Sequence, residues 1–109
     1  MRKLKFFISQ PMKGLTTQEI TEKRNAVIER VHEQHPEAEI IDSYVTDYTP
    51  STGNVSLKYL AKSIELLADA DMAVFCDGWQ NARGCRIEHE CAAAYGIPAV
   101  DEMLTAKGE

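Results

Sequence analysis

Basic excess is what this sequence lacks most. Lysine and arginine total 12 against 17 aspartates and glutamates, a formal net charge of −5 over 109 residues. A protein that grips nucleic-acid polymers neutralises phosphates with clustered cations, so no polymer partner is expected. Long apolar runs are missing as well. The run Met72–Cys76 is far short of the roughly 20 residues that cross a bilayer, so no membrane partner is expected either. The opening Met1-Arg2-Lys3-Leu4-Lys5 is basic, but its apolar continuation stops at Ser9, too early for a secretory leader. Cysteines are few and show no pattern. Cys76, Cys85 and Cys91 are odd in number, share no repeated spacing and form no C-x-x-C pair. They read as reduced thiols, which points to a cytoplasmic setting. No repeat, low-complexity tract or linker divides the chain. One domain over 1–101 is expected, with a polar tail over 102–109. Apolar residues at 44% supply a core without disulfide or metal staples.

What is present alternates regularly. Leu4 to Ser9 reads as a strand, stopped by Gln10-Pro11. Thr16-Thr17-Gln18-Glu19 offers a capping box, and Ile20, Val27, Ile28 and Val31 then share a helical face to about Gln34, before Pro36. Ala38 to Ser43 is a second strand. Pro50 to Asn54 is the clearest loop. Leu57, Leu60, Ala61, Ile64, Leu67 and Ala68 mark a second helix, with that stripe turned toward a sheet. Met72 to Asp77 is a strand buried on both faces. Gly84 to Tyr95 is a third helix with Gly96 as a left-handed cap, and Ile97 to Val100 closes the series.

This β-α-β-α-β-α-β order predicts a three-layer α/β fold of flavodoxin or Rossmann type. Its sheet is parallel and four-stranded, in order 2-1-3-4. Ligands of such sheets bind beyond the strand carboxyl ends, where the chain reverses direction. Two loops are singled out, Ser9 to Thr16 and Asp77 to Gly84.

Asp77 leaves the third strand at that edge, as a site acid or as a turn aspartate before Gly78. Glu88 is more telling. On the helical wheel it falls between Tyr95 and Ala92, flanked by Ile87 and Cys91, while Arg86 and His89 point outward. A carboxylate within an apolar arc costs free energy to bury unless something pairs with it. Its partner is either a ligand or Arg24, which sits similarly among Val27, Ile28 and Val31. Cys85 and His89 have i, i+4 metal-ligand spacing but no third ligand nearby, so no metal site is expected. Ser9-Gln10-Pro11-Met12-Lys13-Gly14 is either a plain turn or an amide-and-lysine cradle for phosphate. Trp79 either stacks on a base or covers the sheet edge.

These segments together resemble the nucleoside 2-deoxyribosyltransferase superfamily. Phe6-Phe7-Ile8-Ser9-Gln10-Pro11-Met12 is similar to its opening strand and loop. Ala70-Asp71-Met72-Ala73-Val74-Phe75-Cys76-Asp77-Gly78 is similar to its third strand. Gly84-Cys85-Arg86-Ile87-Glu88 is similar to its glycine-x-x-x-glutamate helix. Trp79 and Arg83-Gly84 resemble most its short members from bacteria and phages. The resemblance spans about residues 4 to 100. It implies that Glu88 is the nucleophile at an anomeric carbon and that Asp77 handles base and sugar. It also implies that Phe7, Ser9, Gln10, Pro11, Met12, Lys13, Gly78, Trp79, Arg83 and Gly84 line the substrate pocket. Three positions depart from the pattern. Phe7 stands where a tyrosine is common, Gln10 replaces a glycine, and Asn54 to Lys58 lacks an aspartate.

The expected activity is cleavage or transfer at the N-glycosidic bond of a nucleoside or nucleotide, without a cofactor. The alternative is a non-catalytic nucleotide-binding module on the same scaffold. A homo-oligomer is also expected. Tyr59 and Leu66 lie on the side of helix 2 opposite Leu57 and form a second stripe suited to an isologous contact.

Overall fold

The computed structural model describes residues 3–41 and 48–105. Its elements are β1 (Lys5–Ser9), α1 (Thr17–Gln34), β2 (Glu39–Ile41), α2 (Val55–Leu67), β3 (Met72–Phe75), a short 3-10 turn (Trp79–Asn81), α3 (Arg83–Ala94) and β4 (Ala99–Asp101). All strand pairs are parallel, in order β2-β1-β3-β4. The architecture is therefore the three-layer α/β sheet that the alternating pattern predicts. Asp42 and Ser43 at the expected end of strand 2, and 106–109 of the tail, lie outside the described residues.

Strand alternation builds two cores. Phe6, Ile8, Val74, Cys76 and Val100 point to one face and pack with Val27 and Val31 of α1. Phe7, Ala73 and Phe75 point to the other and pack with Leu67 of α2 and Ala92 of α3. Thr16 caps α1, accepting from the Glu19 N–H at 3.1 Å while the Glu19 carboxylate accepts from the Thr16 N–H at 2.9 Å. At the end of α3, Gly96 takes φ +76° and the Ile97 N–H reaches the Ala92 carbonyl at 2.9 Å. Only a residue without Cβ adopts that left-handed turn at no cost, so Gly96 ends the helix as its position predicts.

Four expectations are corrected. Helix α2 does not turn its whole apolar stripe inward: Leu67 is buried, but Leu57 is 58% exposed and Ala61 and Ala68 are exposed. The helix is rolled so that Ser63 and Leu67 face inward, which brings the Ser63 hydroxyl to the buried Glu88. The second stripe is accordingly split: Leu66 is half-buried, while Tyr59 stays 41% exposed. Leu66 packs on the second core, and Tyr59 meets Tyr48 edge-on with centroids 5.7 Å apart. His89 does not point outward but stacks on Trp79, rings 4.1 Å apart and 14° from parallel. Residues 102–105 fold back rather than trail. The Arg30 guanidinium donates to the Glu102 carbonyl at 2.6 Å, and Leu104 packs against the first core.

Candidate functional site

Chain direction reverses between β1 and β3, since β1 leads to β2 on one side and β3 to β4 on the other. The loops after the two central strands diverge there. Ser9, the last residue of β1, pairs with Phe75 in register, and its carbonyl accepts from the Cys76 N–H at 3.0 Å. This fixes the Ser9 side chain on the α2–α3 face, 2% exposed. Its hydroxyl donates to Glu88 Oε1 at 2.6 Å.

Glu88 is 7% exposed. Burial raises its pKa above the ordinary carboxylate value, while hydrogen bonds from the Ser9 and Ser63 hydroxyls pull it partly back. The carboxylate is thus held by two hydroxyls from β1 and α2. Arg24 lies on α1, packed on the opposite face, where it donates to the Ile41 carbonyl at 3.1 Å. The hydroxyl pair, rather than an arginine, is what holds the Glu88 carboxylate.

Among the described residues, two clefts at this edge have Pro11 in their walls. The larger, about 590 Å³, lies between the Pro11–Lys13 loop and the start of α3. Lys13, Arg83 and Arg86 bring positive charge to it, Arg86 also donating to the Gln80 carbonyl at 3.1 Å. Ala82 at the α3 N-cap supplies no side-chain bond to the first turn, so the positive end of the helix faces the cleft bare of a capping side chain. Gly78 takes φ +87° to turn the chain past Pro11. Cys85, in the cleft wall, shares the Ser9 hydroxyl with Glu88. Glu88 itself follows Gly84 by about 6 Å along the helix axis and lines neither cleft.

The smaller cleft, about 230 Å³, is lined by Gln10, Cys76, Asp77, Lys23, Arg30 and Glu102, among others. Asp77 is exposed there, and its N–H donates to Glu102 Oε1 at 2.8 Å. The structure does not bring Asp77 and Glu88 into one cleft. β3 ends at Phe75, two residues before Asp77, and Cys76 and Asp77 then follow the α1 side.

The other expected pocket residues divide. Pro11, Met12, Lys13, Gly78, Arg83 and Gly84 all line the larger cleft. Gln10 is in the smaller one, its amide donating to the Ile20 carbonyl at 2.8 Å. Phe7 is 0% exposed inside the second core and reaches neither. Trp79 packs at the sheet edge against Phe75 and His89 and lines neither cleft.

Residues 4–101 match the family described as "Domain of unknown function (DUF4406)". The chain belongs to the DUF4406 family. No curated protein matches it. A solved structure, the "Crystal structure of conserved protein from Enterococcus faecalis V583", superposes with TM-score 0.67 at 19% identity. The superposition takes in 92% of this chain and 63% of that one. At that identity the likeness establishes the fold of the DUF4406 domain.

Two site residues of this DUF4406 domain escape a reading of the sequence. Ser63 is signalled only as a small polar break on the inward arc of α2. Glu102 carries no signal, because its contact with Asp77 spans 25 residues. Cys85 and His89, despite their metal-ligand spacing, part company: Cys85 turns toward Ser9 while His89 turns to Trp79. Burial pushes the Cys76 thiol up to about 12, helped by the Glu102 carboxylate, and raises Cys85 as well. Neither thiol is a ready nucleophile.

Proposed function

We propose that this DUF4406 domain binds a nucleotide or nucleoside beyond β1 and β3 and acts on its N-glycosidic bond, with Glu88 as nucleophile. The observation that carries this reading is the buried Glu88 carboxylate, held by the Ser9 and Ser63 hydroxyls one turn along α3 from a basic cleft. The resemblance to the deoxyribosyltransferases supports it at the same residue. In the reaction a Glu88 oxygen bonds to the anomeric carbon. The C–N bond breaks, its electron pair stays with the base, and the base takes a proton from solvent. Water or a second base then attacks the same carbon and releases the carboxylate. Ser9 and Ser63 fix the direction of attack. Lys13, Arg83, Arg86 and the α3 terminus supply charge for a 5′-phosphate, which favours nucleotides over nucleosides.

A second reading, a nucleotide-binding module without catalysis, is favoured by the 7% exposure of Glu88 and by Asp77 facing the other cleft. One experiment separates them. The protein is incubated with deoxynucleosides and their 5′-monophosphates, free base is measured chromatographically, and binding is measured by calorimetry. Base release that disappears in Glu88→Ala supports the enzyme. Binding with no release supports the module. Release undiminished in Glu88→Ala removes Glu88 from the mechanism.

A further inference from the structure

The roll of α2 leaves an apolar face uncovered beside α3. Leu57 is 58% exposed, Ala61 and Ala68 are exposed, Ile87 is 39% exposed and Tyr95 84%. Between the helices these residues border two hollows. One lies at Leu57, Leu60 and Ile87, the other at Ile64, Ala68 and Tyr95. Around the α2 axis, Ala61, Ile64 and Ala68 all fall close to the direction of Leu57, a stripe that runs the length of the helix. Single exposed apolar side chains are ordinary, but a continuous face on two adjacent helices is not.

We infer that this face is where two copies of the chain meet, with their α2 helices antiparallel across a two-fold axis. The charge order beside the stripe selects this occupant and this direction. Lys58, Lys62 and Glu65 fall on one flank of the stripe, roughly a quarter-turn or a little more from Leu57, and Asp69 follows in the turn that closes the helix. Along this flank both lysines precede both acids, with Lys62 near the middle of the helix and Asp69 just past its end. A two-fold axis that sets Leu57 opposite Ala68, and Ala61 opposite Ile64, keeps the two flanks on one side of the seam and reverses their order. Lys58 and Lys62 of one copy then run beside Asp69 and Glu65 of the other. A parallel two-fold pair would instead put the two flanks on opposite sides of the seam, where their charges do not meet. The flank is complementary to itself only in the antiparallel arrangement.

Size is consistent with a reversible pair. The 13 residues of α2 span about 20 Å, and two helices side by side are about 20 Å wide. That projects to roughly 400 Å², with side-chain relief adding to it, against about 800 Å² per partner in a standard interface. The small Ala61 and Ala68 allow close approach. Arg83 and Gly84 belong to both the first hollow and the basic cleft, so a second copy would border the cleft.

Sedimentation equilibrium between about 1 and about 200 μM, where an interface of this modest size associates, tests the inference. A concentration-dependent dimer is expected. Ala61→Glu places a carboxylate in the apolar seam from a surface position and should weaken association about tenfold or more. Glu65→Lys should also weaken it. Adding Lys62→Glu to Glu65→Lys restores opposite charges across the antiparallel seam, and the dimer with them. The double exchange also keeps the ion pair that Lys62 and Glu65 make within each helix, 3.6 Å apart. A monomer at the highest concentration would overturn the proposal. So would a dimer indifferent to Ala61→Glu, or a double exchange that fails to recover what the single one lost. Far-UV dichroism checks each fold, and the charge series stands alone should Ala61→Glu prove unfolded.

Discussion

Replacing Glu88 by glutamine removes the buried charge while keeping the side chain's shape and an oxygen for Ser9 and Ser63. Burial is the largest influence on this carboxyl and lifts its pKa, and the two hydroxyl bonds recover only part of that. At 7% exposure, solvent screening does little to soften the effect. An acid with a raised folded pKa holds its proton more tightly in the folded state. The stability it contributes is complete below the unfolded value, about 4.3 for glutamate, and is lost as pH rises through the folded value. Inside that window the wild type loses about 1.4 kcal/mol per pH unit from this one group. Glutamine does not titrate, so the variant lacks this loss. Hydrogen bonds to a charged acceptor are stronger than those to a neutral one by roughly 1 kcal/mol each. That difference is already contained in the net upward shift. The Tm difference between Glu88→Gln and wild type should therefore be small near pH 4, climb with pH, and level off above the folded pKa. At about 4–8 °C per kcal/mol for a small domain, the climb is about 6–11 °C per pH unit. Thermal melts of both proteins from pH 4 to pH 8 read it directly. A difference that does not change with pH would refute the argument. So would a variant less stable at neutral pH, since breaking a buried ion pair costs about 3–5 kcal/mol and would mean that a cation pairs with Glu88.

The cysteines give a second test. Cys76 and Cys85 are 5% exposed with raised thiol pKa values, while Cys91 is only half-buried. A disulfide reagent at pH 8 should modify one thiol quickly in the native protein and all three in denaturant. Fast modification of Cys85 would mean that the start of α3 opens readily, and of Cys76 that the end of β3 does. Thr16→Ala deletes the side-chain half of the α1 capping box. It should cost about 1 kcal/mol, a fall of roughly 4–8 °C in Tm, and an unchanged melt would mean that the box contributes nothing in solution.

Most of the fold was legible because its signals are local. Period-two and continuous apolar runs mark the strands, Thr16 and Glu19 start α1, and Gly96 stops α3. With those boundaries, right-handed crossovers leave few topologies, and order 2-1-3-4 is among them. The candidate site was legible by halves for the same reason. Loops after β1 and β3 must meet at the switch point, and Pro11, Met12, Lys13, Gly78, Arg83 and Gly84 do line one cleft. The side to which a loop residue turns is not local information. Asp77 follows the α1 side because Glu102, from beyond β4, accepts its N–H, and nothing near Asp77 in the chain announces that partner.

Helix α2 shows where the periodicity argument fails and why. Its apolar residues centre close to the direction of Leu57, so burial of apolar area alone would turn Leu57, Ala61 and Ala68 inward. The buried arc instead centres on Leu67 and Ser63, roughly a quarter to a third of a turn away. A carboxylate inside the second core cannot be left without donors, and Ser63 is the one α2 hydroxyl placed to reach it. Satisfying Glu88 thus competes with burying the stripe, and the observed roll satisfies Glu88. The apolar residues left outside are those whose flanking charges match a reversed copy of themselves. The conflict and its resolution therefore connect the two proposals: a carboxylate kept in the core for chemistry, and a helix face released for association.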